Sequence, residues 1–122
     1  MTKGNLVEMS ILQLDFRELG EVTVVALQGS LDTNTADDLD SALAERLEAG
    51  QRNFVADLSE LKYISSAGIG VLVGSLNDLQ DEDGDLRIAM MPPEIAKVLE
   101  VLALLDFFEC FPDQQSAIDS YT

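Results

Sequence analysis

From Glu21 onward the chain switches repeatedly between two hydrophobic patterns, and this alternation limits its fold more than any other feature. Glu21-Val22-Thr23-Val24-Val25-Ala26-Leu27 reads as a strand. Leu39, Leu43 and Leu47, with Ala36 and Ala42, then mark one face of a helix that Gly50 closes. Asn53 to Leu58 is a short apolar run of the kind that forms a central strand buried on both faces. From about Ser66 to Gln80, Ile69, Leu72, Val73, Leu76 and Leu79 recur at helical spacing. Leu86 to Met90 reads as the next strand, and Pro92-Pro93 opens a helix with the stripe Ile95, Val98, Leu99 and Leu102. Asp106 to Phe111 reads as a last strand, followed by a closing helix from Pro112 to Tyr121 with Ala117, Ile118 and Tyr121 facing inward. Ahead of all this, Ile11 to Phe16 pairs with the first of these strands as a hairpin across Arg17-Glu18-Leu19-Gly20. The expected class is α/β: a mixed sheet of about five strands, mostly parallel after an N-terminal antiparallel hairpin, with about four helices in one domain over residues 1–122.

Two serines and three glycines set the central helix apart. Ser66 is the expected N-cap, its side-chain oxygen accepting from an N–H of the first turn. Gly68, Gly70 and Gly74 together give up about 3 kcal/mol of helix propensity against alanine, which close packing on the sheet or an open helix N-terminus has to offset. These glycines do not form a dinucleotide fingerprint. That motif needs them in the tight turn between strand and helix, whereas here the strand ends near Asp57 and the glycines fall inside the helix. No Gly-Lys-Ser/Thr follows them, so a phosphate loop is excluded as well. Thr35 with Asp38 has capping-box spacing and is expected to start the first helix.

Charge narrows the partners. A net charge of −16, with seven Lys and Arg residues scattered along the chain, leaves no basic stripe for nucleic acid and favours a protein partner with a basic face. Histidine is absent, no pair of carboxylates stands out for acid–base work, and a nucleophilic Ser65 or Ser66 would lack its usual base. No catalytic residue, metal site or cofactor is expected. Cys110 is a lone thiol, read as a core residue of a chain in a reducing compartment. The start of the chain has no apolar signal region, and the longest purely apolar run, Val101 to Leu105, is too short to span a membrane. A cytoplasmic protein with no membrane contact is expected.

A serine at a helix N-terminus suits a phosphate, because unpaired N–H groups and the positive end of the helix dipole face it. The run Asp57-Leu58-Ser59-Glu60-Leu61-Lys62-Tyr63-Ile64-Ser65-Ser66-Ala67-Gly68-Ile69-Gly70-Val71-Leu72 resembles the central motif of STAS domains, in particular bacterial anti-sigma factor antagonists. Gln28 to Thr35 resembles the family's Gly-x-Leu-Asp loop, and Pro93 to Leu99 its third helix, so the likeness covers about residues 10–120. The resemblance implies a STAS-like fold. It further implies a partner-switching protein that binds an anti-sigma factor with serine-kinase activity, is switched off by phosphorylation and is restored by a serine phosphatase. By position it makes Ser66 the phosphoacceptor. The loop Ser30 to Asn34 follows one strand and the segment Tyr63 to Ser66 follows the neighbouring parallel strand, so both are expected at one edge of the sheet, with Asp32, Thr33, Ser65, Ser66 and Gly68 in one partner-binding surface. Ser65 stands where several members carry aspartate. The alternatives from the same family are a non-phosphorylated scaffold or adaptor in a stress-signalling or lipid-trafficking complex, and a nucleotide-binding protein.

Overall fold

A computed structural model describes residues 11–122. Five strands lie side by side in sequence order: β1 (Leu12–Leu19), β2 (Val22–Leu31), β3 (Asn53–Ile64), β4 (Asp85–Ala89) and β5 (Cys110–Phe111). β1 runs antiparallel to β2, and every other pair is parallel. Between and after the parallel strands come α1 (Ala36–Glu48), α2 (Ser66–Asp81), α3 (Pro93–Val101), a 3₁₀ turn (Leu105–Phe107) and α4 (Gln114–Asp119). The mixed sheet and four helices expected from the alternation are therefore present. The hairpin is tighter than its sequence suggests. β1 continues to Leu19, opposite Val22, and Gly20 takes φ +67° at the first position of a two-residue turn.

The pleat divides the core in two. Leu12, Leu14 and Phe16 of β1, Val25 and Leu27 of β2, Phe54, Ala56 and Leu58 of β3, and Leu86 and Ile88 of β4 point to one face. There they meet Leu39 and Leu43 of α1, Leu72 and Leu76 of α2, and Ile95 and Leu99 of α3. Val22, Val24, Val55 and Ala89 point to the other face, covered by Ala117 of α4 with Ile118 and Tyr121. Full burial of a residue such as Phe54 or Leu58 stabilises by about 1.5–3 kcal/mol, so the sheet is a rigid base for whatever projects from its edges.

Several local expectations are corrected. Thr35 is the N-cap of α1, as expected, but makes no side-chain cap, because its hydroxyl turns back into the loop; Gly50 closes the helix as its position implied. β3 does not stop at Leu58 but runs to Ile64. The last strand is only Cys110–Phe111, because Leu105–Phe107 coils into a 3₁₀ turn and only Phe108 of this stretch is sunk in the core. Cys110 is exposed rather than buried, and partial desolvation, then the charge of Asp106, pushes its thiol pKa up. On α3, Ile95 and Leu99 face the core, but Val98 and Leu102 are 37% and 49% exposed, so the buried stripe is narrower than the spacing implied.

Candidate functional site at the start of the central helix

The site is built where β2 and β3 leave the sheet. Between Asp57 and Ile64 the core-facing residues Leu58, Leu61 and Ile64 are three apart, which no regular strand allows. Two register shifts against β2, between Ala26 and Gln28 and again between Gly29 and Ser30, each insert one extra residue into β3 and bring the next apolar side chain back to the core. The pairing then continues to Ser30 opposite Tyr63 and Leu31 opposite Ile64. Both strands therefore end together, and the segments that follow them are neighbours at the carboxyl edge of the sheet, the edge at which open α/β sheets bind their ligands.

Ser65, not Ser66, caps α2. Its backbone is extended, its Oγ accepts from the N–H of Gly68 at 3.3 Å, its carbonyl accepts from Ile69 at 2.9 Å, and its own N–H donates to the Leu31 carbonyl at 2.9 Å. Ser66 is thereby moved to the first helical position and is exposed. The N–H groups of Ser66 and Ala67 have no partner among the described residues, so the positive end of α2 opens beside the Ser66 hydroxyl. Gly68 is buried against Leu31. A Cβ there would lie 2.6 Å from the Leu31 carbonyl oxygen and 2.7 Å from its Cγ, so glycine is what lets the helix start rest on the end of β2. Gly70 and Gly74 differ. A Cβ at either would meet nothing within 4 Å, and packing accounts for only one of the three glycines.

The loop after β2 is organised by its own side chains. The Asp32 carboxylate accepts from the N–H of Asn34 at 2.9 Å, and the Thr35 hydroxyl accepts from the N–H of Asp32 at 2.9 Å while donating to the Ser30 carbonyl at 2.7 Å. Thr35 is 4% exposed, Asp32 half-buried and Thr33 exposed. Asp32 and Thr33 are thus carried beside Ser65, Ser66 and Gly68 through Leu31, which touches both segments. Two exposed residues stand at this edge, and of these only Met90 is not expected there. Tyr63 is 54% exposed on the final turn of pairing of β3, and Met90 is 42% exposed at the end of β4 with φ +57°. Tyr63 lies in the segment expected at this edge, but on β3 itself rather than beyond its end, and nothing in the local sequence signals the left-handed backbone at Met90.

Asp57 is occupied elsewhere. Its carboxylate accepts from the N–H of Ser59 at 2.9 Å and from the Gln114 amide at 2.6 Å, and Gln114 in turn accepts from Arg17. This chain of bonds ties α4 to the sheet and leaves Asp57 a structural part. Among the described residues no cluster of acidic, cysteine or histidine side chains is arranged to hold a metal, and no helix is long and apolar enough to cross a membrane.

A sheet of this order with a glycine-seated, serine-capped helix after its third strand defines a class, and residues 13–117 match the STAS domain model. The chain belongs to the STAS domain family. It is 27% identical over 110 residues to BtrV of Bordetella bronchiseptica, assigned as an anti-sigma factor antagonist, covering 90% of this chain and 95% of BtrV. It is 30% identical over 82 residues to the anti-sigma-B factor antagonist of Staphylococcus aureus, covering 67% of this chain and 76% of that one. In fold it is similar to the anti-sigma factor antagonist SpoIIAA in its unphosphorylated form, with a TM-score of 0.78 at 18% identity over 89% of this chain and 96% of SpoIIAA. It is also similar to the phosphorylated form from Bacillus, with a TM-score of 0.72 at 20% identity over 92% and 100% of the two chains.

Proposed function

We propose that this protein is an anti-sigma factor antagonist that works by partner switching, with no catalysis of its own. In this reading it binds an anti-sigma factor that is also a serine kinase, using the first turn of α2 together with Asp32 and Thr33, with Tyr63 and Met90 at the rim. The kinase transfers the γ-phosphoryl group of ATP to Ser66: the Oγ–P bond forms as the bond to ADP breaks, and the hydroxyl proton passes to the kinase. A serine phosphatase reverses the step by hydrolysis.

The observation that carries this reading is the division of labour between the two serines. Ser65 is half-buried with its oxygen committed to Gly68, whereas Ser66 is exposed beside two free N–H groups. A phosphate on Ser66 is held by those donors and by the helix dipole without unfolding the turn, yet its charge of about −2 lies on the surface that must be desolvated when the partner docks. The names of the curated relatives and the phosphorylated form known for SpoIIAA support the same assignment.

The test begins with capture of the partner from the native cell on the immobilised protein. The captured kinase and ATP are then added, and the modified residue is located by mass spectrometry. Phosphate on Ser66, and binding that survives Ser66→Ala but is lost in Ser66→Asp, is the expected result. Phosphate confined to Ser65, or equal affinity of the two variants, overturns it.

A further inference from the structure

We propose that the groove between α1 and α2 seats a lysine or arginine side chain of a partner protein, a docking contact separate from the Ser66 surface and independent of whether Ser66 is phosphorylated. The groove has a volume of about 150 Å³. Leu43, Leu47 and Leu79 form its floor, and Asp40 and Glu48 of α1 and Asp78 of α2 stand around it. None of these three carboxylates takes part in an ion pair among the described residues. The cations of α1 and its exit are committed elsewhere, Arg46 to Glu18 and the ring of Phe16, Arg52 to Glu82 and the Leu47 carbonyl.

Ser75 supplies the second observation. It lines the groove, it is 6% exposed, and its hydroxyl makes no hydrogen bond to any described residue. No buried side-chain oxygen or nitrogen is sealed off without a partner, so this hydroxyl keeps its access through the groove itself. A nearly buried hydroxyl, an apolar floor and an uncompensated acidic rim ask for one kind of occupant: an aliphatic stem that covers the leucines, ending in a cation that reaches the carboxylates and donates to Ser75. A metal ion fits poorly, because the carboxylates do not converge as a metal cluster. The chain's net charge of −16 favours approach of a basic protein surface to this face.

The probe is a soluble helical peptide with one arginine on an alanine and glutamine background, titrated at millimolar concentration into the isotope-labelled full chain. Amide shifts should concentrate at Ala44, Leu47, Ser75 and Asp78 and leave Ser66 unmoved. Replacing the arginine by citrulline, which keeps shape and loses charge, should weaken binding by about fivefold or more, as should Asp40→Asn with Asp78→Asn in the protein. Ser75→Ala, which removes only the hydroxyl, should weaken it by about two- to fivefold. Shifts spread over every acidic surface, equal binding of the citrulline peptide, indifference to these substitutions, tighter binding of spermidine than of the peptide, or no localised binding at all would each overturn the proposal. None of these outcomes bears on phosphorylation of Ser66, which is assayed separately.

Discussion

The N–H of Ser65 donates to the carbonyl of Leu31 at 2.9 Å, and the same carbonyl oxygen lies where a Cβ on Gly68 would have to go. One backbone oxygen therefore fixes both the cap of α2 and the depth at which its first turn sits. Because Leu31 also opens the loop that carries Asp32 and Thr33, the two halves of the candidate surface are held together by main chain rather than by side chains that can swing.

Gly68→Ala is expected to force that contact apart. The added methyl meets backbone rather than a flexible side-chain end, so a loss of about 1–3 kcal/mol is expected in denaturant unfolding. Partner binding should fall with it, since Asp32 and Ser66 lose their common seat. A Gly68→Ala protein with unchanged stability would mean that the helix start is free to shift.

The two serines should separate cleanly. Ser65→Ala removes the cap oxygen from Gly68 and is expected to cost about 1 kcal/mol, whereas Ser66→Ala, which removes no hydrogen bond of the described structure, should be close to neutral. Urea unfolding of both variants decides it. Greater loss in Ser66→Ala would return the cap to Ser66.

That reassignment shows where the sequence was legible and where it was not. Periodicity located α1 and α2 and the strands around them, because Leu39 and Leu43, or Ile69, Leu72, Leu76 and Leu79, do face the core as their spacing demands. It failed at Leu58, Leu61 and Ile64, where two bulges replace the alternation of a strand by steps of three, so the second half of β3 does not read as strand. The neighbouring serines Ser65 and Ser66 are equally good caps by residue type, and only the end point of β3 decides between them. At Val98 and Leu102 the helical stripe was real in sequence but wider than the surface available to cover it. The place of Asp32, Thr33 and Gly68 at one edge was legible because two parallel strands must release their chains on the same side.

Gly70 and Gly74 are expected to respond in the opposite sense to Gly68. Both lie inside α2, and an added Cβ meets nothing within 4 Å, so each change to alanine should raise stability by about 1 kcal/mol. Thermal or urea unfolding of the double variant measures it. If stability rises while partner affinity drops, the open glycines belong to the docking surface; if stability fails to rise, the helix holds a strain that the contacts do not reveal.

Tyr121 makes the fold sensitive to alkali. Its phenol donates to the Phe54 carbonyl at 2.7 Å beneath the guanidinium of Arg87, which lies 4.0 Å from the ring centre. Burial, and then the charge of Asp85, pushes the phenol pKa well above its ordinary value, with Arg87 and the hydrogen bond opposing in part. For a group raised on folding the sign is fixed. The unfolded chain ionises first, near pH about 10, so the stabilisation is complete below that pH and is lost as pH rises towards the folded value. Tyr121→Phe keeps the ring beneath Arg87 and removes the titration, at a cost of about 1 kcal/mol at neutral pH from the lost hydrogen bond. Urea midpoints measured from pH about 8 to 11 should therefore fall more steeply for the native protein than for Tyr121→Phe, and lysine titration is common to both. Parallel curves would show that the phenol is not held away from water and that α4 does not depend on it.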